Sequence, residues 1–250
     1  MHEAVLVGVL YLGYAFSRTL AREDAGTAMV HAGRVWDLER WMRLPSEAAW
    51  QQAAMRREGL VQGANLYYAN VHFPLTLAVL LWLYLRHPAR YTWMRRTLAT
   101  LSGLAMLVHL AYPLAPPRLL SGMVDTGTVY GQSVYGPVGT GLANQFAAMP
   151  SLHAGWSVVV AAAMILTLHT RWRWLWLLHP ASTILVIVVT ANHYWLDVAV
   201  ALGLLVLALW VNAAWVRSTA QAASPPSTHP AATTGHDWTS PRFSSRGGGR

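Results

Sequence analysis

The chain has 250 residues, of which 54% are apolar and only 11% are charged, and it contains no cysteine. An average soluble domain has about 25% charged residues, so the composition indicates a membrane protein, and the lack of cysteine excludes disulfides. The arginines that produce the net charge of +8 flank apolar segments, which favours contact with anionic lipid over binding of nucleic acid.

Six apolar segments are long enough, or nearly so, to cross a bilayer, which takes about 20 residues. They run at about 3–20, 66–85, 95–114, 152–170, 174–191 and 195–216. The sequence therefore predicts an all-α, polytopic membrane protein with six transmembrane helices. The first segment resembles a signal-peptide core, but its "MHEAV" start lacks basic residues, which favours a retained helix.

These segments divide the chain into four regions. We expect a first transmembrane helix at 1–20, an extracytoplasmic connection at 21–64, a membrane core of five helices at 65–216 and a disordered cytoplasmic tail at 217–250.

The connection at 21–64 contains two amphipathic segments separated by Pro45. Trp36, Trp41 and Trp50 alternate there with arginines, a pattern typical of a helix lying in the membrane interface. A helix that caps the protein outside the membrane fits the same pattern, so both interpretations stay open.

Arginine placement predicts the orientation. The connections at 86–96 and 169–174 and the end of the last span are rich in arginine, and such connections stay cytoplasmic. We therefore expect a plasma-membrane protein with both termini in the cytoplasm. The glycine- and proline-rich loop at 113–150, long enough to be functional or disordered, lies with 191–195 on the outer face.

Asp197 is the most informative residue, because it lies inside the last apolar segment. A carboxylate in such a segment is costly and marks a functional site by default. His193 precedes it by four residues, so both side chains lie on one helix face. The carboxylate can accept the imidazole Nδ1–H and leave Nε2 as a nucleophile or base. The spacing equally suits a buried pair that only ties helices together.

Two further residues on the predicted outer side suit phosphate chemistry. His153 follows Ser151 at a predicted helix start, where free N–H groups bind anions. Arg118 is the only arginine between Arg96 and Arg171, and a guanidinium binds phosphate through paired hydrogen bonds. The alternatives are an ordinary interfacial histidine and an arginine that contacts lipid headgroups.

Tyr68 and His72 begin the second apolar segment on the same side. They are candidates to line the site, although both residue types are also common in interfacial belts. No zinc motif such as H-E-x-x-H and no glycine-rich nucleotide loop occurs, so the sequence predicts neither a metal nor a cofactor.

Three stretches, "YPLAPPR", "AMPSLHAGWS" and "NHYWLD", resemble in this order the three motifs of the type 2 phosphatidic acid phosphatase superfamily. The resemblance covers about residues 60–205 and is closest to the inositolphosphotransferase branch, which includes the inositol phosphorylceramide synthases. It implies a six-helix membrane core and a metal-independent reaction through a phosphohistidine.

By motif position, the resemblance makes His193 the nucleophile and Asp197 its orienting partner. It makes His153 the acid that protonates the leaving oxygen, and Arg118 a phosphate ligand. The resemblance thus assigns a role to each of the four side chains singled out above.

Three departures separate this chain from the common phosphatase pattern. Ala111 replaces a lysine of the first motif, Leu152 a glycine of the second and Ile187 an arginine of the third. The inositolphosphotransferase branch tolerates such losses. Other groups must then help to bind phosphate, and the candidates are Tyr68, His72, Asn192 and backbone N–H groups near Ser151.

The sequence therefore predicts a lipid-phosphate phosphatase or phosphotransferase that acts at the outer membrane face. Its partners would be a membrane lipid phosphate and either water or an alcohol acceptor, without nucleic acid. The alternative is a non-catalytic binding or transport protein with a proton-sensing His–Asp pair.

Overall fold

The computed structural model describes residues 25–130 and 144–223, and this part of the chain is helical with no β-strand. The α-helices are α1 (Ala25–Trp41), α2 (Glu47–Met55), α3 (Glu58–Asn70), α4 (His72–Arg86), α5 (Pro88–Ala111), α6 (Thr126–Tyr130), α7 (Leu152–Thr167), α8 (Leu178–Val189) and α9 (Trp195–Ala223). Short 3₁₀ turns lie at Pro117–Leu119 and Arg171–Leu177. The all-α prediction is confirmed for these residues.

Within residues 25–130 and 144–223, two helical segments are long and apolar enough to cross a membrane, Arg171–Val189 and Trp195–Thr219. A third qualifies if α3 and α4, which are bent by 42° at their junction, count as one span. These apolar helices indicate a membrane protein, but the predicted number of six spans is not confirmed. The predicted first span, 3–20, lies outside the described residues.

Two other predicted spans form helices that fall short of the same criterion for physical reasons. α5 has 24 residues, but Arg90, Arg95, Arg96 and His109 lower its mean hydropathy. α7 is apolar but has 16 residues, a length of about 24 Å against a hydrocarbon core of about 30 Å. Both helices nevertheless pack in the centre of the molecule.

The largest core cluster joins α4, α5, α7 and α9. Leu83, Leu101, Val160 and Ala208 are fully buried in it. Gly155 of α7 faces Leu101 so closely that an added Cβ would lie 2.8 Å from a Leu101 methyl group. The glycine therefore lets α7 approach α5, and this packing fixes the direction in which α7 begins.

A second cluster places α1 over the loops on one side of the molecule. Ala28, Ala32 and Val35 pack with Leu114 and Tyr194, all of them buried. His31 donates from Nδ1 to the Pro113 carbonyl at 2.8 Å, since a carbonyl only accepts. Of the two interpretations of the 21–64 connection, the contacts favour a helix that caps the protein, although Trp41 at the end of α1 is 80% exposed.

The loop at 113–150 has more structure than its composition predicts. Besides the 3₁₀ turn and α6, Leu114 and Ala147 form an isolated parallel bridge. The bridge ties the start of the loop to the stretch that precedes α7. At the other end of the chain, α9 continues to Ala223, past the boundary predicted at residue 216; the rest of the predicted tail lies outside the described residues.

Candidate active site

The predicted site residues meet where three parts of the chain converge. These are the loop after α5, the first turn of α7, and the turn that joins α8 to α9. Ala191 in this last turn has φ +51°, a left-handed conformation that costs a non-glycine residue about 1–3 kcal/mol and occurs often at functional sites. Its carbonyl accepts the Arg118 N–H at 2.8 Å, which links the turn to the loop.

His193 is held in one tautomer by its surroundings. Its Nδ1 lies 2.8 Å from the Ala148 carbonyl oxygen and 3.2 Å from Asp197 Oδ2. A carbonyl only accepts hydrogen bonds, so Nδ1 carries the hydrogen. In the neutral ring Nε2 then has a free electron pair, as a nucleophile or base requires.

Burial keeps this imidazole neutral. The ring is 6% exposed, and desolvation lowers the pKa of His193 to about 4; the hydrogen bond to Ala148 opposes the shift and the nearby charge of Arg118 adds to it. At neutral pH the Nε2 electron pair is therefore available without prior loss of a proton.

Asp197 connects the imidazole to the start of α9. The side chain is fully buried, and its Oδ2 also accepts the Tyr194 N–H at 2.9 Å. The other oxygen, Oδ1, has no hydrogen-bond donor among the described residues. The Asp197 carbonyl accepts the Ser151 N–H at 3.1 Å, which ties α9 to the beginning of α7.

Arg118 is buried beside the histidine, with 5% of its surface exposed. One guanidinium nitrogen donates to Asn192 Oδ1 at 2.7 Å. Asn192, predicted as a possible phosphate donor, thus orients the arginine here, and its amide nitrogen donates to Thr190. Such a contact holds the guanidinium plane next to the residue that precedes His193.

Asp125 is a member of the site that the sequence analysis did not identify. Its Oδ2 lies 3.4 Å from Arg118 Nε, and the carboxylate is 30% exposed. Between Gly59 and His236 the chain has only two acidic residues, and both lie at this site. That scarcity was the available signal, but without a helical spacing it did not point to Arg118.

Ser151 forms the N-cap of α7. Its Oγ accepts the Ala154 N–H at 3.3 Å, and its own N–H is bonded to Asp197. At the start of α7, the amides of Leu152 and His153 have no intrahelical acceptor. Any binding of an anion through backbone N–H groups would therefore involve these two residues.

His153 lies opposite His193, and the two ring centroids are 5.8 Å apart. Tyr68 stacks on His153 at 4.6 Å, and His72 lies 4.9 Å from it. The structure thus brings both predicted lining residues to His153. No hydrogen bond joins the His153 ring to a described residue, and its contacts there are with other rings.

A row of polar rings continues behind His153. His179, to which the sequence analysis assigned no role, stacks on His72 at 5.8 Å and meets the Tyr67 hydroxyl at 2.9 Å. His72 Nδ1 and His179 Nε2 are buried and have no hydrogen-bond partner among the described residues. The polar surface behind the site is therefore larger than the motifs alone predict.

The arrangement suits transfer of a phosphoryl group. A neutral imidazole, His193, lies 5.8 Å from a second imidazole, His153, between ring centroids, and the Arg118 guanidinium is bonded to the residue that precedes His193. The described residues include no cluster of three or more side chains able to ligate a metal ion.

Among the comparisons with known proteins, one gives a match. A family model described as the PAP2 superfamily matches residues 33–211. Neither a curated protein nor a solved structure matches the chain significantly. The matched region includes α2 to α8, most of α9 and all the residues of the site, and on this match the chain belongs to the PAP2 superfamily.

Proposed function

We propose that the protein is an integral membrane enzyme that transfers a phosphoryl or headgroup-phosphoryl unit from a lipid phosphate ester through a phosphohistidine. Membership of the PAP2 superfamily suggests phosphatase or phosphotransferase activity. The observation that carries the proposal for this chain is the His193 tautomer: the Ala148 carbonyl and Asp197 both accept from Nδ1, so Nε2 is the reactive atom.

In the first step, Nε2 of His193 attacks phosphorus, and the bond from phosphorus to the lipid oxygen breaks. His153, which is protonated when the anionic phosphate binds beside it, donates a proton to that oxygen, since a neutral alcohol leaves more readily than an alkoxide. Arg118 stabilises the charge on the non-bridging oxygens. Asp197 stabilises the positive charge that develops on the imidazole ring.

In the second step, an oxygen nucleophile attacks phosphorus and the N–P bond breaks. His153, now neutral, accepts the proton of the incoming hydroxyl. With water, a phosphomonoester donor gives free phosphate and a phosphodiester donor gives the headgroup phosphate, and with an alcohol the product is a new phosphate ester. Both reactions use the same four side chains, so the binding of the acceptor decides between them.

The similarity to the inositolphosphotransferase branch remains part of the proposal. Where the common pattern has cations, this chain has Ala111, at the end of α5, and Ile187, which is fully buried in α8. The Ile187 carbonyl accepts the N–H groups of Asn192 and His193. Arg118 therefore carries a larger share of phosphate binding than in a site with three cations.

We further propose that the site faces the outer side of the plasma membrane, with both termini in the cytoplasm. The arginine-rich connections support this orientation. The substrate reaches the site from the bilayer, and the proposal requires no cofactor and no nucleic acid.

The test uses detergent-purified full-length protein, wild type beside His193→Ala. Each is incubated with phosphatidic acid, a polyprenyl phosphate and a phosphatidylinositol, with and without inositol or a ceramide as acceptor. We expect turnover with at least one lipid and a loss of at least about 10⁴-fold in the variant. Free phosphate, or free headgroup phosphate from the phosphatidylinositol, would identify hydrolysis, and a new phospholipid would identify a transferase.

The matched control is His169→Ala, since His169 is exposed and follows the end of α7 that is opposite to His153. It should keep wild-type activity. Full activity of His193→Ala with any of these lipids would refute the phosphohistidine mechanism.

A further inference from the structure

Glu39 makes a contact that links α1 to the catalytic end of α9. The side chain is fully buried, and its Oε1 accepts the Leu196 N–H at 2.7 Å across 157 residues of sequence. Amides in the first turn of a helix have no intrahelical acceptor, and a residue just before the helix usually supplies one. For α9 a distant helix supplies it.

The turn that Glu39 caps is also the turn that holds the site together. Asp197 follows Leu196 directly, and its carboxylate contacts the Tyr194 amide and His193 Nδ1. We propose that Glu39 is a positioning residue for the reaction: its carboxyl group holds the first turn of α9 so that Asp197 and His193 stay aligned. The catalytic consequence rests on the proposed function, whereas the effect on α9 does not.

A second buried acid, Glu47 at the start of α2, completes the contact. Arg40 lies 3.0 Å from Glu47 Oε2 and 3.6 Å from Glu39 Oε2. Glu39 Oε2 and Glu47 Oε1 have no hydrogen-bond donor among the described residues. Two buried carboxylates beside one half-buried arginine leave an excess negative charge, and one proton removes it.

Glu39 carries this proton. Burial, followed by the neighbouring Glu47 side chain, raises the pKa of Glu39 to about 9. A protonated carboxyl group accepts through one oxygen and donates through the other. Glutamine has the same shape and the same pattern, with its Oε1 toward Leu196 and its amide hydrogens toward Glu47, so it is the conservative replacement.

The same region of the chain supports the other side of the site. Gln51 of α2 donates to the Val124 carbonyl at 2.8 Å and accepts the Val124 N–H at 3.0 Å. Val124 precedes Asp125, the partner of Arg118. α1 and α2 therefore support both the first turn of α9 and the loop that carries Arg118, and Glu39 is the residue of α1 that bonds the first turn of α9.

The first measurement is independent of catalysis. Full-length wild type, Glu39→Gln and Glu39→Leu are compared by amide hydrogen exchange of the peptide covering residues 191–198. Loss of one buried hydrogen bond should speed exchange in Glu39→Leu by about 5- to 10-fold, while Glu39→Gln stays near wild type. Glu58→Leu is the matched control, because Glu58 is exposed and bonds only its neighbour Gln62.

The second measurement is turnover of the lipid phosphate that the wild type accepts best. We expect kcat of Glu39→Leu to fall by about 10- to 100-fold, since small misalignments of reacting groups cost this much, with KM nearly unchanged. Glu39→Gln should restore kcat. If Glu39→Leu does not fold, Glu39→Asp replaces it, because the shortened acid should give intermediate exchange and kcat.

Wild-type exchange in Glu39→Leu, or equal effects of leucine and glutamine, would overturn the positioning role. Faster exchange in Glu39→Leu, combined with a wild type that turns over none of the lipids, would support the role of Glu39 in holding α9 and would refute the proposed function instead.

Discussion

The two imidazoles of the site are held in different ways. His193 is fixed by hydrogen bonds, with its Nδ1 between the Ala148 carbonyl and Asp197. His153 is fixed by ring contacts with Tyr68 and His72 and has no hydrogen bond to a described residue. The difference fits the two proposed roles. His193, as a nucleophile, needs one tautomer, which its hydrogen bonds fix. His153, as an acid that later acts as a base, must release and regain a proton at the same nitrogen, which ring contacts permit.

The largest effect expected from this comparison concerns His153. In His153→Gln the leaving oxygen loses its acid, which should reduce kcat by about 10²- to 10⁴-fold for a lipid substrate. A substrate with a nitrophenolate leaving group needs little protonation, so the variant should lose much less activity with it. The measurement is the ratio of kcat for the two substrates in variant and wild type.

An equal loss with both substrates would contradict the acid role of His153. His109→Gln is the control: its Nε2 lies 3.3 Å from the Pro150 carbonyl, next to the site, but its ring has no place in the reaction. It should reduce activity with the two substrates by the same small factor.

The next effect separates the two acceptors of His193. In a Ser-His-Asp triad, replacement of the aspartate by asparagine costs about 10⁴-fold, because the tautomer changes. Here the Ala148 carbonyl still requires hydrogen on Nδ1, so Asp197→Asn should keep the tautomer and lose only charge stabilisation. We expect a loss of kcat of about 10²-fold, well below that of His193→Ala, with trapped phosphoenzyme as the second readout.

A loss in Asp197→Asn as large as in His193→Ala would show that the carbonyl does not fix the tautomer. Asp37→Asn is the matched control, since Asp37 lies on α1 away from the site and its replacement should leave turnover unchanged.

Sequence reasoning identified the residues that lie close together in the chain. The spacing of four residues predicted a contact between His193 and Asp197, and the structure has it at 3.2 Å. The contact of His193 with the Ala148 carbonyl could not be predicted, because every residue has a carbonyl and Ala148 lies 45 positions from His193 in the chain. Arginine placement likewise put Arg118 on the same predicted side as His193, but its partner Asn192 could only be proposed as a phosphate donor.

Helix boundaries and tertiary contacts were likewise only partly predictable from the sequence. Apolar length predicted the helices of the core, but Arg95 and Arg96 extend α5 beyond its apolar part, so composition alone does not define a span there. The contact from Glu39 to Leu196 joins an amphipathic helix to the last span. Its geometry depends on tertiary packing, which a one-dimensional pattern does not contain.

The pH dependence of His193 tests how strongly burial controls this imidazole. Burial lowers its pKa to about 4, so the reactive neutral form persists as the pH falls and is lost only near pH 4. Acylation of His193 by diethyl pyrocarbonate, followed by peptide mass spectrometry, should slow by less than about twofold between pH 8 and pH 5. Free N-acetylhistidine, with a pKa of about 6.5, should slow about 30-fold.

A parallel decline of His193 and N-acetylhistidine would mean that the ring is solvated in the working protein. A lowered pKa keeps the imidazole neutral in more acidic solution, so the ratio of the rate at pH 5 to the rate at pH 8 must be larger for His193 than for the free compound.

The smallest effect concerns the two partners of Arg118. Asn192 accepts at 2.7 Å in a buried contact, whereas Asp125 lies 3.4 Å away and is 30% exposed. A partly exposed ion pair contributes only about 0.2–1 kcal/mol, so Asp125 adds little to the orientation of the guanidinium.

The negative charge of Asp125, however, opposes the binding of a phosphate to Arg118. Asp125→Asn should therefore bind inorganic phosphate about two- to fivefold more tightly, measured as the inhibition constant during turnover. Asn192→Ala should bind it more weakly, because the guanidinium loses the contact that orients it. Weaker phosphate binding in Asp125→Asn would mean that the carboxylate, rather than the amide, holds Arg118 in place.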